Sequence, residues 1–350
     1  MDKLNLMDLS LKETEELITS MGEPRFRGRQ IFKWVHQKGI LRFAEMTDQP
    51  AKLREKLESA CYLGNLEVSA KQNSADGTTK YLFKVYDTNS VESVLLPHDY
   101  GISVCVSSQV GCRMGCRFCA STIGGLVRNL SAGEIYSQVI SIQKDSGKRV
   151  GSIVVMGSGE PFDNYDEVIK FIRLIISPDA LNIGARHITV STCGDVPGIK
   201  RFAGEGLQVT LSISLHAPND ELRDQIMPVN RKYPIASLIN ACRDYISITN
   251  RRITFEYALI NDFNDSYEQA LELGRLLKGL LCHVNLIPLN QVDEREYRQS
   301  NLSKVRAFHN TLEKVGVPVT IRKRMGADID AACGQLRRRA AQGEITPGRG

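Results

Sequence analysis

No apolar run in this 350-residue chain approaches the roughly 18–20 residues needed to span a bilayer. Residues 1–13 lack the apolar core of a signal peptide, which predicts a cytosolic protein without a membrane partner. There is no internal repeat or low-complexity segment. Neither sign of charge dominates: 45 Lys and Arg against 40 Asp and Glu leave +5, which permits an anionic partner without demanding one. The nine cysteines are odd in number, and three crowd into one short segment. In a reducing compartment that pattern favours metal binding or catalysis over a disulfide framework.

What is present divides the chain. Up to residue 62 the pattern is that of a small helical module: Leu9, Glu13, Glu16, Leu17, Ile31, Phe32, Val35, Leu53 and Leu57 follow amphipathic periods. Gly22-Glu23-Pro24 and Thr47 to Pro50 break them. Residues 63–97 read as a strand and hairpin linker, with strands at 66–70, 80–86 and 91–96 and a turn at Asp76-Gly77. From 98 to 328, short apolar strands at 103–107, 152–156, 187–191, 209–214, 253–258 and 284–287 alternate with helical stretches. That alternation predicts an α/β fold, a partial barrel of about six strand–helix units with parallel pairing. Its chemistry belongs at the carboxyl ends of the strands. Residues 329–350 form a basic C-terminal segment, expected to fray from Arg337 onward.

Cys112, Cys116 and Cys119 are spaced C-x3-C-x2-C just after the first barrel strand. Three thiolates on one loop can hold three corners of a cubane cluster and leave the fourth iron open. An open iron can chelate the amino and carboxylate groups of a methionine moiety and pass an electron into its sulfonium. A zinc site would ordinarily pair C-x2-C units and need a fourth ligand, and the nearest histidine in sequence, His98, lies across a strand. A buried inert cysteine cluster is the other alternative. Arg113, Arg117 and Arg128 flank the loop and would favour thiolates.

Other strand ends carry polar clusters: Met156-Gly157-Ser158-Gly159-Glu160-Pro161, Ser191-Thr192-Cys193-Gly194, Ser214-Leu215-His216, and Asn290. The glycines let backbone approach a ligand, and Glu160 can accept from an ammonium or a ribose.

Taken with Gly22-Glu23-Pro24-Arg25-Phe26-Arg27, Ser107-Ser108-Gln109-Val110-Gly111-Cys112, Phe118-Cys119-Ala120-Ser121-Thr122, Ser214-Leu215-His216-Ala217-Pro218 and the block from Asp328 to Leu336, these motifs resemble the RlmN family almost end to end. That family comprises radical S-adenosylmethionine (SAM) enzymes that methylate carbon 2 of adenine. The resemblance implies a partial (β/α)6 radical SAM barrel with a helical N-terminal accessory domain. It implies one [4Fe-4S] cluster on Cys112, Cys116 and Cys119, and two SAM molecules per turnover. Gly159, Glu160, Ser191, Ser214, Leu215, His216 and Asn290 match the family's SAM contacts. Cys333 matches the methyl-carrying cysteine, Cys105 its resolving partner and Glu92 the general base. Implied partners are 23S ribosomal RNA at the peptidyl transferase centre, transfer RNA beside the anticodon, and a flavodoxin- or ferredoxin-type electron donor, with the chain a monomer. Two positions depart from the pattern: Ser158, where the family more often has Met, and the extra thiol Cys193.

The chemistry agrees with the need for two cysteines outside the cluster. Carbon 2 of adenine has no nucleophilic lone pair, so it cannot attack a sulfonium methyl, whereas a carbon radical can add to it. Radical transfer through methylated Cys333 would leave a protein–RNA crosslink. A base must then take the proton from that carbon, and a second thiol must release Cys333 by forming a disulfide. Rival readings are a Cfr-like enzyme acting on adenine carbon 8, a radical SAM enzyme of another reaction type, and a zinc-stabilised RNA-binding module. No ordinary RNA-recognition motif is visible.

Overall fold

Three helices open the chain: α1 (Leu11–Ser20), α2 (Phe26–His36) and α3 (Ala51–Ala60). The computed structural model describes residues 3–290, 292, 294–329, 334–341 and 343. Ser10 caps α1: its hydroxyl accepts from the Glu13 amide, and the Glu13 carboxylate accepts from the Ser10 amide. Ile18, Ile31, Phe32, Val35, Leu53 and Leu57 are all buried, as the amphipathic periods require. Gly22 breaks the run at φ +80°, a conformation that glycine adopts without a side-chain clash.

Ten strands share one sheet and lie in it in chain order: β1 (Glu67–Asn73), β2 (Thr79–Lys84), β3 (Ser90–His98), β4 (Gly101–Val106), β5 (Val150–Val155), β6 (Ile188–Thr192), β7 (Thr210–Ser214), β8 (Ile253–Leu259), β9 (Cys282–Pro288) and β10 (Val319–Ile321). From β1 to β4 the pairing is antiparallel; from β4 to β10 it is parallel. Helices join the parallel strands, because parallel neighbours need a long crossover. They are α4 (Ala132–Ser146), α5 (Tyr165–Ile175), α6 (Val196–Ala203), α7 (Asp220–Ile226), α8 (Ile235–Thr249), α9 (Tyr267–Leu277) and α10 (Leu302–Lys314). The six barrel strands read from sequence fall within two residues of β4 to β9. The seventh parallel strand, β10, has three residues, two of them exposed, too short for a periodicity to reveal. Segment 63–97 continues the main sheet through the β3–β4 pair.

The helical module docks on α4. His36 stacks on Phe32 at 4.1 Å and meets Tyr136 edge-on at 5.1 Å, and the Asp8 carboxylate accepts from the Gly133 amide at 2.6 Å.

Beyond β10 the chain returns to the opposite edge of the sheet. The Gly326 amide donates to Asp76 at 2.9 Å, and the Asp328 carboxylate accepts from the Ala75 amide at 3.0 Å and from the Ser74 hydroxyl. Where fraying was expected from Arg337, residues 337–341 are helical, part of α11 (Gln335–Ala341); residues 342 and 344–350 lie outside the described residues. Leu336 is buried against Ala70 and Leu82, and Arg338 pairs with Glu294 at 2.6 Å.

Candidate active site

The cysteine loop leaves β4 through the short strand Gln109–Gly111, which pairs with Leu126–Asn129. Gly111 is required where it stands: a Cβ there would lie 2.1 Å from the Gly125 carbonyl oxygen. Cys112 and Cys116 are buried and Cys119 half-buried. The Cys119 amide donates to the Cys116 carbonyl at 3.1 Å, and the Thr122 hydroxyl to both the Cys116 and Cys119 carbonyls at 3.1 and 2.9 Å. Burial pushes the Cys112 thiol up to about 12 and raises Cys116 and Cys119 as well. Thiols so placed keep their protons until a metal displaces them. Among the described residues, no three His, Cys, Asp or Glu side chains converge on one ion.

The positive field about the loop differs from the sequence reading. Arg113 is paired with Asp163, and Arg128 with Asp87 and Glu134. Sequence reasoning missed a buried cation, Arg223 on α7. It donates to the carbonyls of Leu215 (3.0 Å), Cys193 (2.7 Å) and Ser214 (3.1 Å), and to Asn230 (2.9 Å). The Arg117 amide donates to the Ile226 carbonyl at the end of α7 at 2.9 Å, so this helix is tied to the cysteine loop. Nothing in the segment Asp220–Ile226 singles out its one arginine before the packing is known.

The strand ends converge as their order requires. Gly157 and Gly159 lie where any Cβ would come within 2.7 Å of Ser107 or Gln109 atoms. Glu160 is buried; its carboxylate accepts from the amides of Phe162 (3.1 Å) and Cys193 (2.7 Å), which ties the ends of β5 and β6 together. The Thr192 hydroxyl and the Cys193 thiol also interact with this carboxylate. Ser158 bonds Ser121 at 2.9 Å, and Cys193 packs beside Cys116 with its thiol raised by burial. Ser191 on β6 pairs with Ser212 on β7, and Ser214 ends β7. The Leu215 and His216 amides donate to the Glu256 carbonyl. His216 adopts φ +58°, meets Phe118 edge-on at 4.9 Å, and accepts from the Ala258 amide on Nδ1. Burial lowers its pKa to about 3, so it is neutral.

A cavity of about 1250 Å³ occupies the inside of the barrel. Of the residues picked from sequence, Cys105 and Asn290 line it, as does Lys80. Asn290 Oδ1 is buried with no hydrogen-bond partner among the described residues. Cys105 sits on β4 opposite Val94 of β3, two residues from Glu92 on the same face. Glu92 and Lys80 form a buried ion pair at 3.1 Å. Lys80 was another residue missed, since only the β2–β3 register brings it to Glu92. The Glu92 carboxylate also accepts from the amides of Gly334 (2.5 Å) and Arg337 (2.7 Å) at the start of α11. A Cβ on Gly334 would lie 2.7 Å from the Ser121 nitrogen, two residues past Cys119. Cys333 itself lies outside the described residues.

Known proteins resemble this chain in sequence and fold. The Radical SAM superfamily model matches residues 106–274, and the model of the ribosomal RNA large subunit methyltransferase N-terminal domain matches 4–63. A probable dual-specificity RNA methyltransferase RlmN of Alkaliphilus oremlandii is 54% identical over 343 residues, covering 98% of this chain and 100% of the relative. The chain belongs to the RlmN family. A second relative of that name, from Pelotomaculum thermopropionicum, is 56% identical over 97% of this chain and 93% of its own. The crystal structure of a radical SAM methyltransferase from Sphaerobacter thermophilus superposes with a TM-score of 0.92 at 46% identity, covering 95% of this chain and 98% of that one.

The RlmN family's cofactors, a [4Fe-4S] cluster and SAM, suit the residues present. Three protonated thiols share one loop, the Gly157–Gly159 turn approaches without side chains, and Asn290 Oδ1 awaits a donor.

Proposed function

We propose that this chain transfers a methyl group to carbon 2 of an adenine in ribosomal and transfer RNA, through a methylated Cys333. The observation that carries the reading is the position of Gly334, next to Cys333 in sequence: its amide is held by Glu92, and the backbone of Ala120 and Ser121, just after Cys119, leaves no room for a Cβ on it. The described chain that follows Cys333 is thus tied at Gly334 both to the Glu92 carboxylate and to the residues just after Cys119.

Cys112, Cys116 and Cys119 would hold the cluster. Gly159, Glu160, Ser191, Ser214, Leu215, His216 and Asn290 would bind SAM, Asn290 through its unpartnered oxygen. When bound, the cluster supplies one electron for reductive cleavage of the SAM sulfonium. Glu92 would accept the proton from carbon 2 of the base, with Lys80 as its standing partner. The Cys105 thiol would then attack the Cys333 sulfur: a sulfur–sulfur bond forms as the sulfur–carbon bond breaks. The methylene carbon keeps that bond's electron pair and takes a proton to become the methyl group. The adduct's unpaired electron would pass to the bound cluster, and the disulfide is left for a thiol reductant to reopen. The raised Cys105 thiol pKa, set by burial, suits a group that stays protonated until that step. A small electron-transfer protein is the proposed reductant of the cluster, and the cytosol the proposed compartment.

The test is mass spectrometry of RNA digests after anaerobic reaction with SAM and reductant. 2-Methyladenosine is the expected product; 8-methyladenosine would assign the chain to the carbon-8 reaction, and no methylated adenosine would overturn the reading.

A further inference from the structure

The β3–β4 hairpin that carries Glu92 and Cys105 ends at its tip in the two-residue loop Asp99-Tyr100, closed by the pair His98 and Gly101. A loop this short is stiff and presents its side chains in a fixed direction. Tyr100 is 80% exposed, yet its ring lies flat on His98, with centroids 4.7 Å apart and planes 5° from parallel. One face of the phenol is backed and the other is open to solvent. Both rings stand at the rim of the barrel cavity with Arg322, Lys323 and Arg324. Burial and the charge of Arg322 lower the His98 pKa from its ordinary value, with Lys323 acting the same way and the neighbouring Asp99 opposing them.

A rigid, backed aromatic on a cavity lined also by three consecutive cations, two of them near enough to act on the backing ring, has the features of a single-stranded nucleic-acid subsite. Bases splayed from their stack lie on aromatic rings, while Lys and Arg hold the phosphates. We propose that Tyr100, backed by His98, is a stacking platform for an unpaired base of the RNA substrate, with Arg322, Lys323 and Arg324 taking the adjoining phosphates. This rests on the RNA reading above and adds where the strand enters. At about 3.4 Å per residue, the five residues from Tyr100 to Cys105 span about 17 Å. The platform therefore meets a neighbour of the reacting adenine along the strand and not that base itself.

The experiment measures binding of a synthetic RNA stem–loop carrying the target adenosine, at several salt concentrations, to the cluster-loaded protein. Tyr100→Ala should weaken binding about 5- to 150-fold, the range set by losing one stacked base, and leave the salt slope unchanged. Tyr100→Trp should retain the wild-type affinity. Neutralising Arg322, Lys323 and Arg324 together should weaken binding and flatten the slope. With 2-aminopurine placed in turn at the loop positions, one position should be quenched by wild type and not by Tyr100→Ala. Affinity within twofold of wild type for Tyr100→Ala, or a loss accompanied by a flatter slope, would overturn stacking. Unchanged RNA affinity with slower reduction by an acidic electron-transfer protein would assign the rim to a protein and equally overturn it. Methylation of the enzyme's own cysteine needs no RNA and should be equal in all variants. The RNA reading fails separately, if wild type makes no methylated RNA.

Discussion

The Glu92 carboxylate lies 2.5 Å from the amide nitrogen of Gly334, although 242 residues separate them in the chain. With Lys80 at 3.1 Å on the same oxygen and the Arg337 amide at 2.7 Å on the other, one buried acid ties the sheet to the C-terminal helix. A group in that position has a structural role and a proposed chemical one, and the two can be separated.

Glu92→Gln should destabilise the protein by about 3–5 kcal/mol, because it takes the carboxylate from a buried ion pair. Glu92→Gln combined with Lys80→Met should recover much of that loss in chemical denaturation. It should not recover methylated RNA. An active double variant would remove Glu92 from the proposed chemistry.

Cys105→Ala separates packing from resolution. As packing, its loss costs about 1–2 kcal/mol and leaves turnover intact. As the resolving thiol, its loss stops the reaction at the crosslink, so the purified variant should carry RNA on the Cys333 peptide. The double variant with Cys333→Ala should be free of RNA. A fully active, RNA-free Cys105→Ala protein counts against the assignment.

Ala at Cys112, Cys116 or Cys119 should each abolish iron binding and the visible absorption of the anaerobically reconstituted protein. Cys193→Ala should keep both, since Cys193 gives its amide to Glu160 and its carbonyl to Arg223 and neither is lost. Iron analysis decides, and an intact cluster in any of the first three variants would show that the ligand set is wrong.

Acid should weaken the fold through His36. Its ring is fully buried between the Phe32 and Met7 carbonyls, and burial lowers its pKa from 6.5 to about 4. The unfolded chain binds the proton first, so this contribution is whole above about pH 6.5 and is lost as the pH falls towards 4. The loss amounts to about 3 kcal/mol. His36→Gln should lack this pH-dependent term, read as the difference in denaturation free energy between variant and wild type at pH 7 and at pH 4.5.

Much of the candidate site was legible because its residues are local in sequence. C-x3-C-x2-C is a single loop, and the polar clusters at Gly157–Glu160, Ser191, Ser214 and Asn290 each end a recognisable strand. Since the parallel strands lie in chain order, those ends had to meet on one rim. The alternation of strand and helix likewise determined the α/β class, and the amphipathic periods before residue 60 determined the helical module.

Pairings between distant segments were decided by the tertiary structure. Lys80 and Glu92 meet only in the antiparallel β2–β3 register, and a shift of one residue would place their side chains on opposite faces. Arg223 is an ordinary helix residue until α7 packs beneath the ends of β6 and β7. The C-terminal helix forms because Leu336 finds Ala70 and Leu82, and because Glu92 accepts its first amides. Local propensity sees only near neighbours along the chain. A buried charge, by contrast, is settled by whichever remote group burial brings within hydrogen-bond reach, and that contact exists only once the sheet has formed.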